Sequence, residues 1–167
     1  PVMSRRDGGL EAFMEVAGVL DVSANDALKQ TLNYWQSLCG QRRLPARKDF
    51  DPADIPRLLP KLMLADVTQP KTEAQAPQIR FRLVGTEVVG RFGYEITGHH
   101  LSEVDYGTRS DDVADLYRRA VDSAEPQFEQ IDFLQNKGRL VKMQHLLLPL
   151  SDDGAKVNMI LAVLHCQ

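Results

Sequence analysis

Cysteine is scarce in this chain. Only Cys39 and Cys166 occur among 167 residues, and neither sits in a C-x-x-C or Cys/His ligand spacing. A disulfide framework and a zinc site are therefore not expected, and a reducing compartment is. A basic surplus is also missing. Twenty Lys and Arg face 23 Asp and Glu, for a formal net charge of −3, which argues against a general nucleic-acid binder. Apolar runs are short. Leu146–Leu150, for example, contains Pro149 and cannot span a bilayer. Glu11 and Glu15 break the apolar stretch after Arg5 and Arg6, so no signal peptide is read. The chain opens on Pro1, and Met3 reads as the natural start. No repeat or low-complexity tract is present. What remains is an ordinary globular composition, 43% hydrophobic and 26% charged, enough for one domain with an appendage. A cytoplasmic protein without a membrane span is expected.

Hydrophobic spacing divides the chain. Leu10, Phe13, Met14, Ala17 and Leu20 form one helical stripe, weakened by Gly8, Gly9 and Gly18. Leu28, Thr31, Leu32, Trp35, Leu38 and Cys39 form a second and clearer one, with Ser23 as a candidate cap and Gly40 at the end. A polar, basic connection follows over 41–48. Pro52 suits the first turn of a short helix capped by Asp51. The period then changes to that of strands over Leu62–Thr68 and Ile79–Val84, joined by a Pro-containing loop. Glycines break 85–105 into short helical pieces. Ser110 can cap a helix reaching about Ala124, with Val113, Leu116, Tyr117, Ala120 and Val121 on one face. Strands are expected over Gln127–Leu134, Arg139–Leu150 and Lys156–His165. Strand runs with helices inserted between them predict an α+β domain on an antiparallel sheet.

Five motifs occur in sequence order: W-x-S-L from Trp35, R-x-x-P-A-R from Arg42, D-P-x-x-I-P-x-L-L-P from Asp51, R-F-R-L-V-G-T from Arg80 and L-L-L-P-L-S from Leu146. In these the chain resembles the alphaproteobacterial PAS_5 family of single-domain PAS proteins, from about Leu28 to the C-terminus. The resemblance implies a PAS fold, with five antiparallel strands and short helices over one face. It also implies sensing or signalling in place of a defined enzyme activity. Residues 1–40 are expected to be a helical extension and 41–167 the PAS domain.

Catalytic signatures are missing. There is no G-x-S-x-G, no phosphate loop and no G-x-G-x-x-G, so no enzyme is expected. His99 and His100 are adjacent and would diverge on a helix, which suits a surface or hydrogen-bonded role better than a metal or haem ligand. Flavin photochemistry is not expected, since neither cysteine stands in the Asn-Cys-Arg-Phe setting it uses. The candidate ligand pocket comprises Phe81, Tyr94, His99, Tyr106, Tyr117, Met143 and His145. Alternation in the second strand sends Ile79, Phe81 and Leu83 inward, and in the fourth it sends Val141, Met143 and His145 inward. A buried His and Tyr hydroxyls could orient a polar ligand. The simpler alternative is that the rings fill the core and the His bonds to a Tyr or a backbone carbonyl. Phe13, Met14, Leu28, Leu32 and Trp35 form a candidate interface, which could serve a homodimer or cover the chain's own sheet. Arg42, Arg43, Arg47 and Lys48 read as a solvated basic loop. The expected function is a sensory or regulatory protein that binds a small ligand, or a partner such as a kinase or regulator. It would transmit its state through the N-terminal helices. The competing expectation is an interaction or dimerisation module with a filled core. The length leaves little room for an output domain, so the signal is expected to leave through another chain.

Overall fold

In a computed structural model of the chain, the structure describes residues 26–167. Phe13, Met14, the helix expected over 10–20 and the Ser23 cap lie outside the described residues. Helix α1 (Asp26–Cys39) buries Leu28, Thr31, Leu32, Trp35 and Cys39, an i, i+3, i+4, i+7, i+11 stripe. Gly40, at φ 59°, turns the chain out of it. Three single 3₁₀ turns follow, at Arg47–Asp49, Pro52–Asp54 and Leu59–Lys61. As expected, Asp51 caps the second, accepting from Ala53 N at 2.9 Å ahead of Pro52.

Five strands make one antiparallel sheet: β1 (Leu62–Thr68), β2 (Gln78–Val84), β3 (Gln127–Leu134), β4 (Leu140–Leu150) and β5 (Met159–Cys166). Their order across the sheet is β2-β1-β5-β4-β3. Helix α2 (Thr86–Phe92), 3₁₀ turns at Leu101–Glu103 and Gly107–Arg109, and helix α3 (Ser110–Ser123) lie between β2 and β3. Alternation along β4 would bury every second residue, yet Met143 to Leu150 are all buried. Both faces of this strand are therefore covered. On one side Trp35 of α1 donates its indole N–H to the Pro149 carbonyl at 2.9 Å. On the other, α3 brings Tyr117 over the sheet, edge-on to Phe81 with ring centroids 6.2 Å apart.

Two sequence expectations give way. Leu83 is 50% exposed, because a register shift between Leu64 and Ala65 leaves Arg82 unpaired and reverses the alternation. Ser110 is inside α3, donating its hydroxyl to the Gly107 carbonyl, and no side chain caps that helix. The turn before it allows only glycine. Gly107 has φ 57°, and a Cβ there would lie 2.0 Å from the Leu134 carbonyl oxygen. Finally, Leu28, Leu32 and Trp35 are buried in the same cluster as the sheet. Of the two roles expected for this stripe, cover of the chain's own sheet is the one this burial serves.

Trp35 thus carries both ring burial and a buried hydrogen bond. Trp35→Ala is expected to lower unfolding stability by about 3–5 kcal/mol. Trp35→Phe, which keeps a ring but leaves the Pro149 carbonyl unpartnered, is expected to cost about 1–3 kcal/mol. Urea unfolding of the three proteins measures both.

Candidate functional site

The inner face of the sheet is defined by register. Met143 pairs with Ile131 and Cys166, and His145 with Glu129 and Leu164. Across the sheet, Ala65 pairs with Phe81 and Ile160. Over this face lie rings from the helical side. Phe92 is 5.4 Å from Tyr106 and 5.9 Å from Phe133, and Tyr106 is 5.2 Å from Phe133, centroid to centroid. These are ordinary edge and stacked contacts. Tyr106 also lies 6.4 Å from the His145 ring.

Within this apolar space sit polar atoms that no described residue satisfies. Among the described residues, the hydroxyls of Tyr106 and Tyr117 and both ring nitrogens of His145 have no partner within hydrogen-bonding geometry. All three residues are buried to within 1%. Neither tyrosine hydroxyl is bonded to His145, and the Met143 backbone is the polar group that acts on its ring. Leaving such a group unpartnered costs about 1–3 kcal/mol. Burial pushes His145 down to about 4, the Met143 backbone offsetting this only in part. Burial raises both tyrosines, and Tyr117 and Tyr94 add to the effect at Tyr106. All three side chains are uncharged at neutral pH.

Tyr106 is aimed by a residue that sequence reasoning missed. Asp105 accepts from Gly107 N at 3.0 Å through one carboxylate oxygen and from Asn136 N at 3.0 Å through the other. Its own N–H donates to the Tyr94 hydroxyl at 2.9 Å. The Asp-x-Gly spacing over 105–107 was the available signal for this turn.

The seven candidate pocket residues do not all come together. Phe81, Tyr106, Tyr117, Met143 and His145 are fully buried. Tyr94 is 38% exposed with its hydroxyl already engaged, so it belongs to the rim. His99 lies beside β2, where its carbonyl accepts from Phe81 N at 3.0 Å, and its half-buried ring holds Nδ1 away from solvent without a partner among the described residues. Its neighbour His100 is exposed and bridges Arg80. Phe92 and Phe133 complete the ring cluster and were not singled out from sequence. The basic loop is held by its own chain: Arg42 on Asp49, Arg43 on the Ser123 carbonyl and Arg47 over the Phe50 ring. Cys39 is buried, and burial raises the Cys166 thiol, so neither is a ready nucleophile. Among the described residues no His, Cys, Asp and Glu group could hold a metal, and no helix is long and apolar enough to cross a membrane.

The profile of the PAS_5 family, described as a PAS domain, matches residues 23–165. This chain belongs to that family. Solved PAS-type structures share its fold. A LOV (light-oxygen-voltage) protein from Rhodobacter sphaeroides is 12% identical, over 70% of this chain and 68% of its own, with a TM-score of 0.50. The PAS domain of an HTR-like protein from Haloarcula marismortui is 17% identical, over 69% of this chain and 90% of its own, at a TM-score of 0.45. No curated protein matches the sequence significantly. Identities this low speak to fold alone. The PAS architecture is that of sensory domains.

His145 sets a pH dependence for the fold. The unfolded chain takes up a proton near pH 6.5, whereas the folded chain resists it down to about 4. The stabilisation is complete above pH 6.5 and is lost as the pH falls towards 4. The total is about 3 kcal/mol. Urea unfolding between pH 7 and pH 4 is expected to fall less steeply for His145→Leu than for the native chain, by that amount.

Proposed function

We propose that this PAS domain is a sensory protein whose interior takes a small, uncharged, hydrogen-bonding ligand over the inner face of β4. One observation carries the reading: Tyr106, Tyr117 and His145 are buried together without partners among the described residues, while buried polar groups in folded proteins are nearly always satisfied. The trio offers two hydroxyls and a neutral imidazole, so it can both donate and accept. It holds no charge to pair with an ion. A ligand with a carbonyl, amide or hydroxyl edge on an apolar body matches it, in the usual pattern of small-molecule sites.

Likeness to LOV domains brings flavin back as a rival. The cysteine positions speak against adduct photochemistry, but binding needs no cysteine. Against flavin stand the rings of Phe92, Tyr106 and Phe133, packed 5.2–5.9 Å apart, which favour a smaller body. The same packing favours a second reading, an interaction module with a filled core. In both readings the state is passed to a second copy, a kinase or another regulator of the cytoplasm. Transmission by a ligand requires that it bind two conformations unequally. α1 is the natural reporter, because β4 carries His145 on one face while its Pro149 carbonyl holds Trp35.

A thermal-shift screen of flavins, haem, nucleotides, acyl compounds and small neutral amides and phenols tests this. An uncharged compound is expected to raise the melting temperature of the native chain and to leave that of Tyr106→Phe and His145→Leu unmoved. A panel without any shift, together with a native mass equal to the bare chain, would favour the filled-core module instead.

A further inference from the structure

The interior under α3 is closed on most sides by hydrogen bonds. At the β3–β4 hairpin, Gln135 Nε2 donates to the Phe92 carbonyl at 3.1 Å, Asn136 N to the Asp105 carboxylate at 3.0 Å and Arg139 to the Gly90 carbonyl at 3.2 Å. Along β3, Arg119 pairs with Glu129 at 2.6 Å and Arg109 donates to the Asp132 carbonyl at 3.3 Å. Beside the second half of β2, Phe81 N donates to the His99 carbonyl at 3.0 Å and Gly98 N to the Phe81 carbonyl at 2.7 Å. One seam lacks such a closure. Among the described residues, no hydrogen bond or ion pair joins 76–79, at the start of β2, to α3. A cleft of about 250 Å³ opens there, with Pro77, Ile79, Leu101, Asp111 and Ala114 in its wall. The first turn of α3, at its rim, has no side-chain cap.

We propose that this seam between β2 and α3 is the route by which a small neutral molecule reaches Tyr106, Tyr117 and His145, an assignment that rests on the ligand reading above. The route is short. Ile79 and Phe81 share one face of β2, and Ala114 and Tyr117 are neighbours three residues apart on α3. Phe81 and Tyr117 meet edge-on behind the cleft, with ring centroids 6.2 Å apart, and the Tyr117 hydroxyl is one of the unpartnered polar atoms. A molecule in the cleft therefore has one ring pair between it and the trio. Opening is least costly at this seam. Apolar packing alone holds it, and an uncapped helix end is among the first parts of a fold to fray, whereas every other side has hydrogen bonds to break. The mouth also selects. Asp111 has no ionic partner among the described residues, and Arg118 is already paired with Asp115, so no free cation there receives an anion. At about 250 Å³, the cleft falls below the roughly 300–1,000 Å³ of drug-sized sites, which favours a body of one ring over a flavin or a haem.

The test labels thiols in the full chain and needs no ligand. Val113, beside Ala114 in α3, and Val88, in α2, are both fully buried, and Val→Cys alters little volume at either position. Val113→Cys and Val88→Cys are treated with methyl methanethiosulfonate, a small neutral reagent. Mass spectrometry maps the labelled sites and separates them from Cys39 and Cys166. The thiol at position 113 is expected to react about tenfold faster than the one at 88, or more, and faster than the chain unfolds. Ala114 is exposed at the rim, so Ala114→Trp covers the cleft without entering the core. It is expected to slow labelling at position 113 by about tenfold and to leave labelling at 88 unchanged. Equal rates at the two positions, or no effect of Ala114→Trp, would overturn the route. The expected labelling without any stabilising compound in the thermal-shift screen would uphold the open seam and remove the ligand. A stabilising compound with equal labelling rates would do the reverse.

Discussion

The whole arrangement depends on β4 being buried from both sides. A strand with one wet face would alternate, and Lys142 begins such a pattern, but from Met143 onward no residue reaches solvent. That requires a helix on each face. α1 supplies one, anchored by the Trp35 indole on the Pro149 carbonyl. The segment from Tyr106 through α3 supplies the other, held at its start by Asp105 and Gly107. The same strand therefore touches the interior polar group through His145 and the outer helix near Pro149. A displacement of β4 on one side has a packed neighbour to move on the other, because a close-packed interior shifts in discrete steps and does not deform smoothly.

The inner face is built against its own stability. Two phenol hydroxyls and an imidazole could have been phenylalanine and leucine at the same volume. A core that omits them avoids roughly 1–3 kcal/mol per unsatisfied group. Strain or polarity retained where it is costly points to use. Burial also keeps His145 neutral through the physiological range. The group is thus suited to hydrogen bonding and not to ion pairing.

Much of this was legible in the sequence, because period-2 and period-3.6 spacing directly encode faces. The bounds of β1 and β3 agree with the expected Leu62–Thr68 and Gln127–Leu134, and the stripe of α3 faces the core as expected. Misreadings occurred where one residue alters a pattern that spacing assumes to be regular. The bulge opposite Leu64 and Ala65 sends Leu83 out. β5 starts at Met159, three residues later than expected, because Asp153 accepts from Ala155 N, Lys156 N and the Ser151 hydroxyl and holds a turn there. Tyr94 fell at the rim because the glycine-broken stretch after β2 gives no period from which to aim a side chain. Cross-strand register, which brings Phe133 over the same face as Met143 and His145, has no local signature at all.

The central claim is that the interior hydroxyls have no partner among the described residues. Replacing Tyr106 or Tyr117 with Phe deletes the hydroxyl and leaves the ring. In protein refolded from urea to strip any bound molecule, each variant is expected to unfold with stability equal to the native chain or about 1 kcal/mol above it, since an unmet desolvation cost is removed. A loss of about 1 kcal/mol or more in both variants would show that the hydroxyls are bonded within the core, and would contradict the account.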